Sequence, residues 1–300
     1  MIEELVSVLP VFITYYLVAL GHGFFEKSGV LNLAIDGLFV LGATVAFAVA
    51  AYSLNPWTGL FMSSIVCSLF GAFIAYMATK LPISHGALGL SLMFLGYGLS
   101  LVIGIPANNY VYAAALKPSA YTIPTVMNTL MVLFIASILI GILLHYILEN
   151  TKLGAMIRAS GEDPHTAEAL GVDVLKTRII AGAIGYALIG LGSAFFTLTW
   201  RTGWDPKIYL LGHGWIAFAI SLAAGRHPIL TIFTASLFAG LVRYQYVVQT
   251  TLGLSTEITK MLPFIAAIIS MTVFYVTPLK RKLASPKSLG KPYYREERTV

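Results

Sequence analysis

The chain has 300 residues, 58% of them hydrophobic and 11% charged, against roughly 25% charged in a typical soluble domain. That composition excludes a water-soluble globular fold and reads as an integral membrane protein in an all-α, polytopic class. The net charge is +6, and much of it lies in a tail that carries Lys280, Arg281, Lys282, Lys287, Lys291, Arg295 and Arg298. Basic residues beside a span mark the cytoplasmic side, and with no aromatic or fold signature beside them no nucleic-acid partner is expected. Cys67 is the single cysteine and sits in an apolar run, so it reads as a buried thiol, with no intrachain disulfide or cysteine metal site.

The first residues, MIEEL, are acidic where a signal peptide would be basic, so the first apolar run is expected to stay in the chain. A span takes about 20 apolar residues. On that measure there are about nine candidates: residues 5 to 25, 28 to 52, 57 to 79, 86 to 105, 125 to 148, 179 to 200, 209 to 225, 229 to 250 and 259 to 277. Counting back from a cytoplasmic tail puts Glu26, Lys27, Lys80 and the stretch 149 to 178 inside. Asn55, a loop from Pro106 to Pro124 and the stretch 201 to 207 fall outside, with the N-terminus. Gly96, Ser100 and Gly104 share one helix face, as do Ala183 with Ala187 and Gly190 with Ala194, which lets helices approach closely.

Two segments break the pattern. Residues 29 to 42 place Asn32 and Asp36 in an apolar run interrupted by glycines, and a spacing of four predicts that both lie on one helix face. The run inside 209 to 225 is roughly 22 Å long if helical, short for a span, and opens on Gly212, His213 and Gly214. Short or glycine-interrupted segments in each half of a transporter point to its substrate path. An ionised Asp36 well inside a bilayer costs about 2.5 to 3.5 kcal/mol, so it must face a cavity, a partner or water, as a structural bond or a substrate contact. Arg243 is equally expensive and sits among Tyr244, Gln245, Tyr246 and Gln249, either lining an outward mouth or forming an interfacial belt. Tyr209, Trp215, Tyr244 and Tyr246 add an aromatic surface that suits a nucleobase, while sugars also stack on such rings and aromatic belts are common at membrane interfaces. The candidate substrate path is therefore Asn32, Asp36, His213, Trp215, Arg243, Gln245 and Tyr246. His22 and His213 have no metal-site spacing, and no metal is expected.

The stretch 149 to 178, with its flanking spans, reads as a loop projecting into water. Asp163 and Pro164 make a helix start and Gly171 a stop. The spacing predicts a two-turn helix near 164 to 170, with Ala167 and Leu170 able to face a partner. So short a helix is marginal in water, so something must hold it. P-loop, HExxH and GxSxG patterns are missing, so the chain is not expected to be an enzyme, and any ATP must be hydrolysed by another chain.

The run EKSGVLNLAIDGLFVLGA from Glu26 to Ala43 resembles a segment of ABC-importer permeases for nucleosides and simple sugars. In the loop, Arg158, Ala159, Gly161, Glu162, Pro164, Ala167 and Gly171 are similar to that group's cytoplasmic coupling segment. GWIAFAISLAAGRHP from Gly214 to Pro228, and Met261, Leu262 and Pro263, match two further motifs. Asp36, Ala34 and Asp163 stand where Glu, Gly and Asn are common. The resemblance implies one permease domain over 1 to 278 with a basic cytoplasmic tail over 279 to 300, in the cell membrane of a prokaryote. It implies a second permease chain, ATP-binding subunits and an extracytoplasmic substrate-binding protein as partners, in a lipid bilayer. No cofactor is implied in this chain, since the ATP would be used by the partner ATPase. Arg158, Gly161, Glu162, Asp163, Pro164, Ala167 and Gly171 would couple to that ATPase. The cargo implied is a nucleoside moved by alternating access, with a simple sugar as the alternative and an ion-coupled secondary transporter as a lower one.

Overall fold

Apolar runs of this length fold into helices because hydrocarbon leaves backbone amides no partner but their own chain. The computed structural model describes residues 2–207, 212–253, 255–276 and 284–293. Its helices are α1 (Ile2–Glu26), α2 (Ile35–Ser53), α3 (Pro56–Lys80), α4 (His85–Ala113), α5 (Met127–Asn150), α6 (Lys152–Glu162), α7 (Pro164–Ala169) and α8 (Val174–Phe195). They continue with α9 (His213–Ala223), α10 (Pro228–Leu252) and α11 (Thr256–Val276). Among the described residues there is no strand. Starts follow the expected chemistry: Asn55 accepts from the Trp57 amide at 3.0 Å with Pro56 first in α3, and Asp173 accepts from the Lys176 amide at 3.0 Å at the head of α8.

Among the described residues, six helices are long and apolar enough to cross a membrane: α1 from Val6, α2, α3, α4, α5 and α8 with its extension to Trp200. The other three candidates form α9, α10 and α11, of which α9 is the shortest. α9 has 11 residues, roughly 16 Å, about half of a ~30 Å hydrocarbon core. Residues 208–211 lie outside the described ones, and so do Tyr209 and much of the basic tail.

Helices α1 and α2 form the centre, with α8 packed against α1 and α3, and α2 against α3 and α4. The outer helices invert the pattern of a soluble protein, since Phe61, Leu69, Phe94 and Val102 are 65%, 66%, 65% and 71% exposed. Those faces suit lipid. The small-residue faces do the work expected of them: Ser100 meets Thr44 at 2.6 Å between hydroxyls, and a Cβ on Gly96 would lie 2.5 Å from the Gly37 carbonyl oxygen. Gly190 abuts Ser63 of α3 in the same way, and Cys67 is buried and free.

Three expectations are corrected. The second span does not begin near residue 28, because Gly29 turns the chain at φ +89 and residues 30–34 are non-helical up to Ile35. Asn32 therefore shares no helix face with Asp36. Pro106 does not open a loop; it lies inside α4, which runs on to Ala113. The loop between α5 and α8 is itself largely helical, as α6 and α7.

Candidate functional site

The two interrupted segments meet. Asp36 stands in the first turn of α2, and its Oδ1 accepts from the Gly214 amide, in the first turn of α9, at 2.7 Å. Its Oδ2 accepts from the Tyr97 hydroxyl of α4. A carboxylate at two helix N-termini is favoured by their free amides and dipoles, which offsets much of its cost in the membrane interior. Gly214 has to be glycine here, because a Cβ would sit 2.7 Å from Asp36 Oδ1 and closer still to its Cα. Trp215 is half-buried beside this joint, edge-on to Phe218 at 5.7 Å.

His213, one residue earlier, sits in an aromatic cage. Its ring centroid lies 4.7 Å from Phe196, 5.2 Å from Trp200, 6.0 Å from Tyr15 and 6.2 Å from Phe39. Its Nδ1 is 2.7 Å from the Tyr15 hydroxyl, while Nε2 has no partner among the described residues. Phe196 to Trp200 continue α8 as a π-helical turn, a widening often found at functional sites. Phe196 and Trp200 also line a cavity of about 970 Å³, with Phe47, Asn108, Tyr121, Arg201, Asp205 and Lys207, large enough for a small metabolite. The Arg201 guanidinium stands 5.9 Å from the Trp200 ring centroid.

The opposite end is shut by charge. Glu26, fully buried at the end of α1, meets Arg226 Nε at 2.5 Å, and His22 Nε2 lies 3.3 Å from the same carboxylate oxygen. Its other oxygen accepts from the Asn32 amide at 3.1 Å. Asn32 is held further by His22 Nδ1 at 3.3 Å and by the Tyr186 hydroxyl. Arg226 follows Gly225, and both adopt positive φ, +58 and +60; in the non-glycine residue this is a strained backbone that only surrounding contacts maintain.

The α6–α7 pair lies at this charged end, where Gly161 packs so closely on the Lys27 carbonyl that a Cβ would overlap it. Asp163 caps α7, accepting from the His165 and Thr166 amides at 3.1 Å each and from the Thr166 hydroxyl at 2.6 Å. That hydroxyl, then the two amides, hold the Asp163 carboxyl below its usual range. Gly171 ends the segment at φ +87. Within α7 the expected faces are redistributed: Ala167 is buried, 2% exposed, whereas Leu170 is 80% exposed. Arg158 reaches back to Glu149 at 3.0 Å and to the Leu148 carbonyl, tying α6 to α5; Glu162 is exposed.

Of the sequence candidates, the fold brings Asp36, His213 and Trp215 together, with Asn32 toward the charged end. Arg243 and Gln245 lie on α10, which packs on α1, α5, α9 and α11, and they are not among the residues lining the cavity. The side chain of Tyr246 is outside the described residues. Sequence reading missed the Arg226 pairing, the Tyr15, Tyr97 and Tyr186 hydroxyls and the aromatic mouth. The available signal was Arg226 itself, a charge between two apolar runs within a matched motif.

A helical membrane body with broken helices meeting at its middle, an aromatic cavity toward one end and a charged closure at the other has the architecture of a transport subunit. The chain belongs to the family described as branched-chain amino acid transport system / permease component, which it matches over residues 4–271. It is an ABC-importer permease of that group and a multi-pass membrane protein. It is similar to the putative glucose ABC transporter permease of Haloferax volcanii, 30% identical over 239 residues, covering 74% of this chain and 70% of that one. It is also similar to the guanosine ABC transporter permease of Bacillus subtilis, 26% identical with 99% of each chain covered. The nucleoside ABC transporter permease of Lactococcus lactis is 24% identical, with 93% and 92% covered. No solved structure matches the chain.

Proposed function

We propose that this subunit carries a nucleoside across the plasma membrane by alternating access, entering by the cavity and leaving past the Glu26–Arg226 pair. The supporting observation is the cavity itself, whose Phe47, Tyr121, Phe196 and Trp200 offer rings for a base while Asn108, Arg201 and Asp205 offer hydrogen bonds. A nucleobase uses both at once. Two of the relatives carry nucleoside or guanosine in their names. In this reading the cavity faces outward toward a substrate-binding protein, and the charged end faces the cytoplasm with the basic tail. ATP is hydrolysed by separate subunits that dock on α7, and a second permease chain completes the path.

A simple sugar is the second reading, favoured by the 30% identity to the putative glucose permease. Uptake of radiolabelled adenosine, guanosine, ribose and glucose by the reconstituted complex decides between them. Guanosine or adenosine is expected to accumulate, and accumulation of only ribose or glucose overturns the nucleoside reading.

A further inference from the structure

Six residues make too short a helix to persist in water unaided, and the Asp163 cap secures only its first turn. The support comes from the far end of the chain. Tyr293 is buried, 6% exposed, against Ala167 of α7 and Val174 of α8. Its hydroxyl bonds the Glu168 carboxylate, its ring lies 5.1 Å from His165, and the Arg178 guanidinium stands 5.6 Å from its centroid. One tail side chain thus touches three residues of a six-residue helix.

The rest of the strap runs back into the body. The Ser288 amide donates to the Gly161 carbonyl at 3.0 Å and its hydroxyl to the same oxygen at 2.6 Å. The Gly290 amide donates to the Gly29 carbonyl at 3.2 Å, on the turn that leads to Asn32 and Asp36. Ser285 Oγ accepts from Arg226 Nη1 at 2.7 Å, on the arginine that closes the charged end. A tail serving only as positive charge would need none of these bonds.

We infer that residues 285–293 are a positioning strap which holds α7 in its docking pose and joins it to the Gly29 turn and Arg226, with Tyr293 as the positioning residue. The role in docking rests on the proposed function, whereas the holding of α7 stands without it. The test uses the full-length chain purified with its ATP-binding subunits, reading hydrogen exchange at the amides of residues 166–170 and recovery of those subunits. In Tyr293→Ala, exchange at 166–170 is expected to rise about tenfold, the effect of shifting a local equilibrium by ~1.4 kcal/mol, with exchange in α1 and α8 unchanged. Recovery of the ATP-binding subunits is expected to fall with it. Tyr293→Phe keeps the ring against Ala167 and is expected to stay near wild type in both. A chain ending at Ala284 is expected to match Tyr293→Ala or exceed it.

Leu170→Glu separates the two claims. It places a charge on the exposed tip without touching Tyr293, so subunit recovery should fall while exchange at 166–170 stays protected. Full recovery with Leu170→Glu overturns docking on α7 and leaves the exchange result to judge the strap. Unchanged exchange at 166–170 in both Tyr293→Ala and the shortened chain overturns the strap.

Discussion

Removing Glu26 and Arg226 from water costs several kcal/mol for each ion, and their 2.5 Å contact offsets this only while both are present. Arg226→Met strands a carboxylate that is fully buried, so a loss of about 3–5 kcal/mol is expected. Adding Glu26→Gln should restore most of it. Unfolding of the detergent-purified single and double variants measures this as a cycle; a double variant whose loss equals the sum of the two single losses would show that the pair carries no coupling. The Asp36 joint gives a second residue-scale expectation. Gly214→Ala puts a methyl 2.7 Å from Asp36 Oδ1, whereas Gly98→Ala on the same body meets nothing within 4 Å. The first should cost about 1–3 kcal/mol and the second should be neutral or slightly stabilising. Equal unfolding temperatures for the two variants would contradict the close approach of α9 to α2. Arg226 was within a matched motif, yet its partner lies 200 residues away. No periodicity carries a contact of that range, so the pairing became visible only in the fold.

Helices declare their ends more clearly than their faces. Asp163, Pro164 and Gly171 marked the bounds of α7 through local backbone chemistry, and the cap and the positive φ stand at those residues. Which side of α7 turns outward depends on Tyr293, more than a hundred positions on, and so of the two residues expected to face a partner Ala167 is buried and Leu170 is exposed. The same division explains α2: the apolar run of 29 to 42 read as helix through 30–34, but Asn32 bonds Glu26, His22 and Tyr186 in place of continuing a helix. Asp163→Ala is expected to remove about 1 kcal/mol from α7, seen as faster amide exchange at 165–170. The cap has a pH signature. Because Asp163 titrates lower folded than unfolded, its contribution is complete above the unfolded value of about 3.9 and is lost as pH falls through the folded one. Exchange at 165–170, corrected for its intrinsic pH dependence, should thus be level from neutral pH down to about 4 and rise below it. A rise already at neutral pH would mean that Asp163 is not the cap.

At the scale of the molecule, the grouping of loops into two ends was legible, because parity follows from the lengths of apolar runs. Lys27 meets Gly161, and Arg226 meets Ser285, while the Ile123 amide bonds the Leu198 carbonyl and Trp204 bonds Thr44 toward the cavity end. The cavity was not legible, since its walls come from three separate stretches of chain, at 47, 108–121 and 196–207, which no local spacing brings together. What parity cannot supply is which end faces the cytoplasm, and the basic tail is the ground for the orientation proposed. Two exposed positions report on the two ends: Leu170 beside α7 and Lys207 at the cavity mouth. Cys67 is buried and gives no background to a membrane-impermeant maleimide. Lys207→Cys should react in intact cells, and Leu170→Cys only in inverted vesicles. Reaction of both from the same face would break the two-ended arrangement, and the reverse pattern would turn the cavity toward the cytoplasm, leaving an outward-facing α7 with no access to ATP-binding subunits.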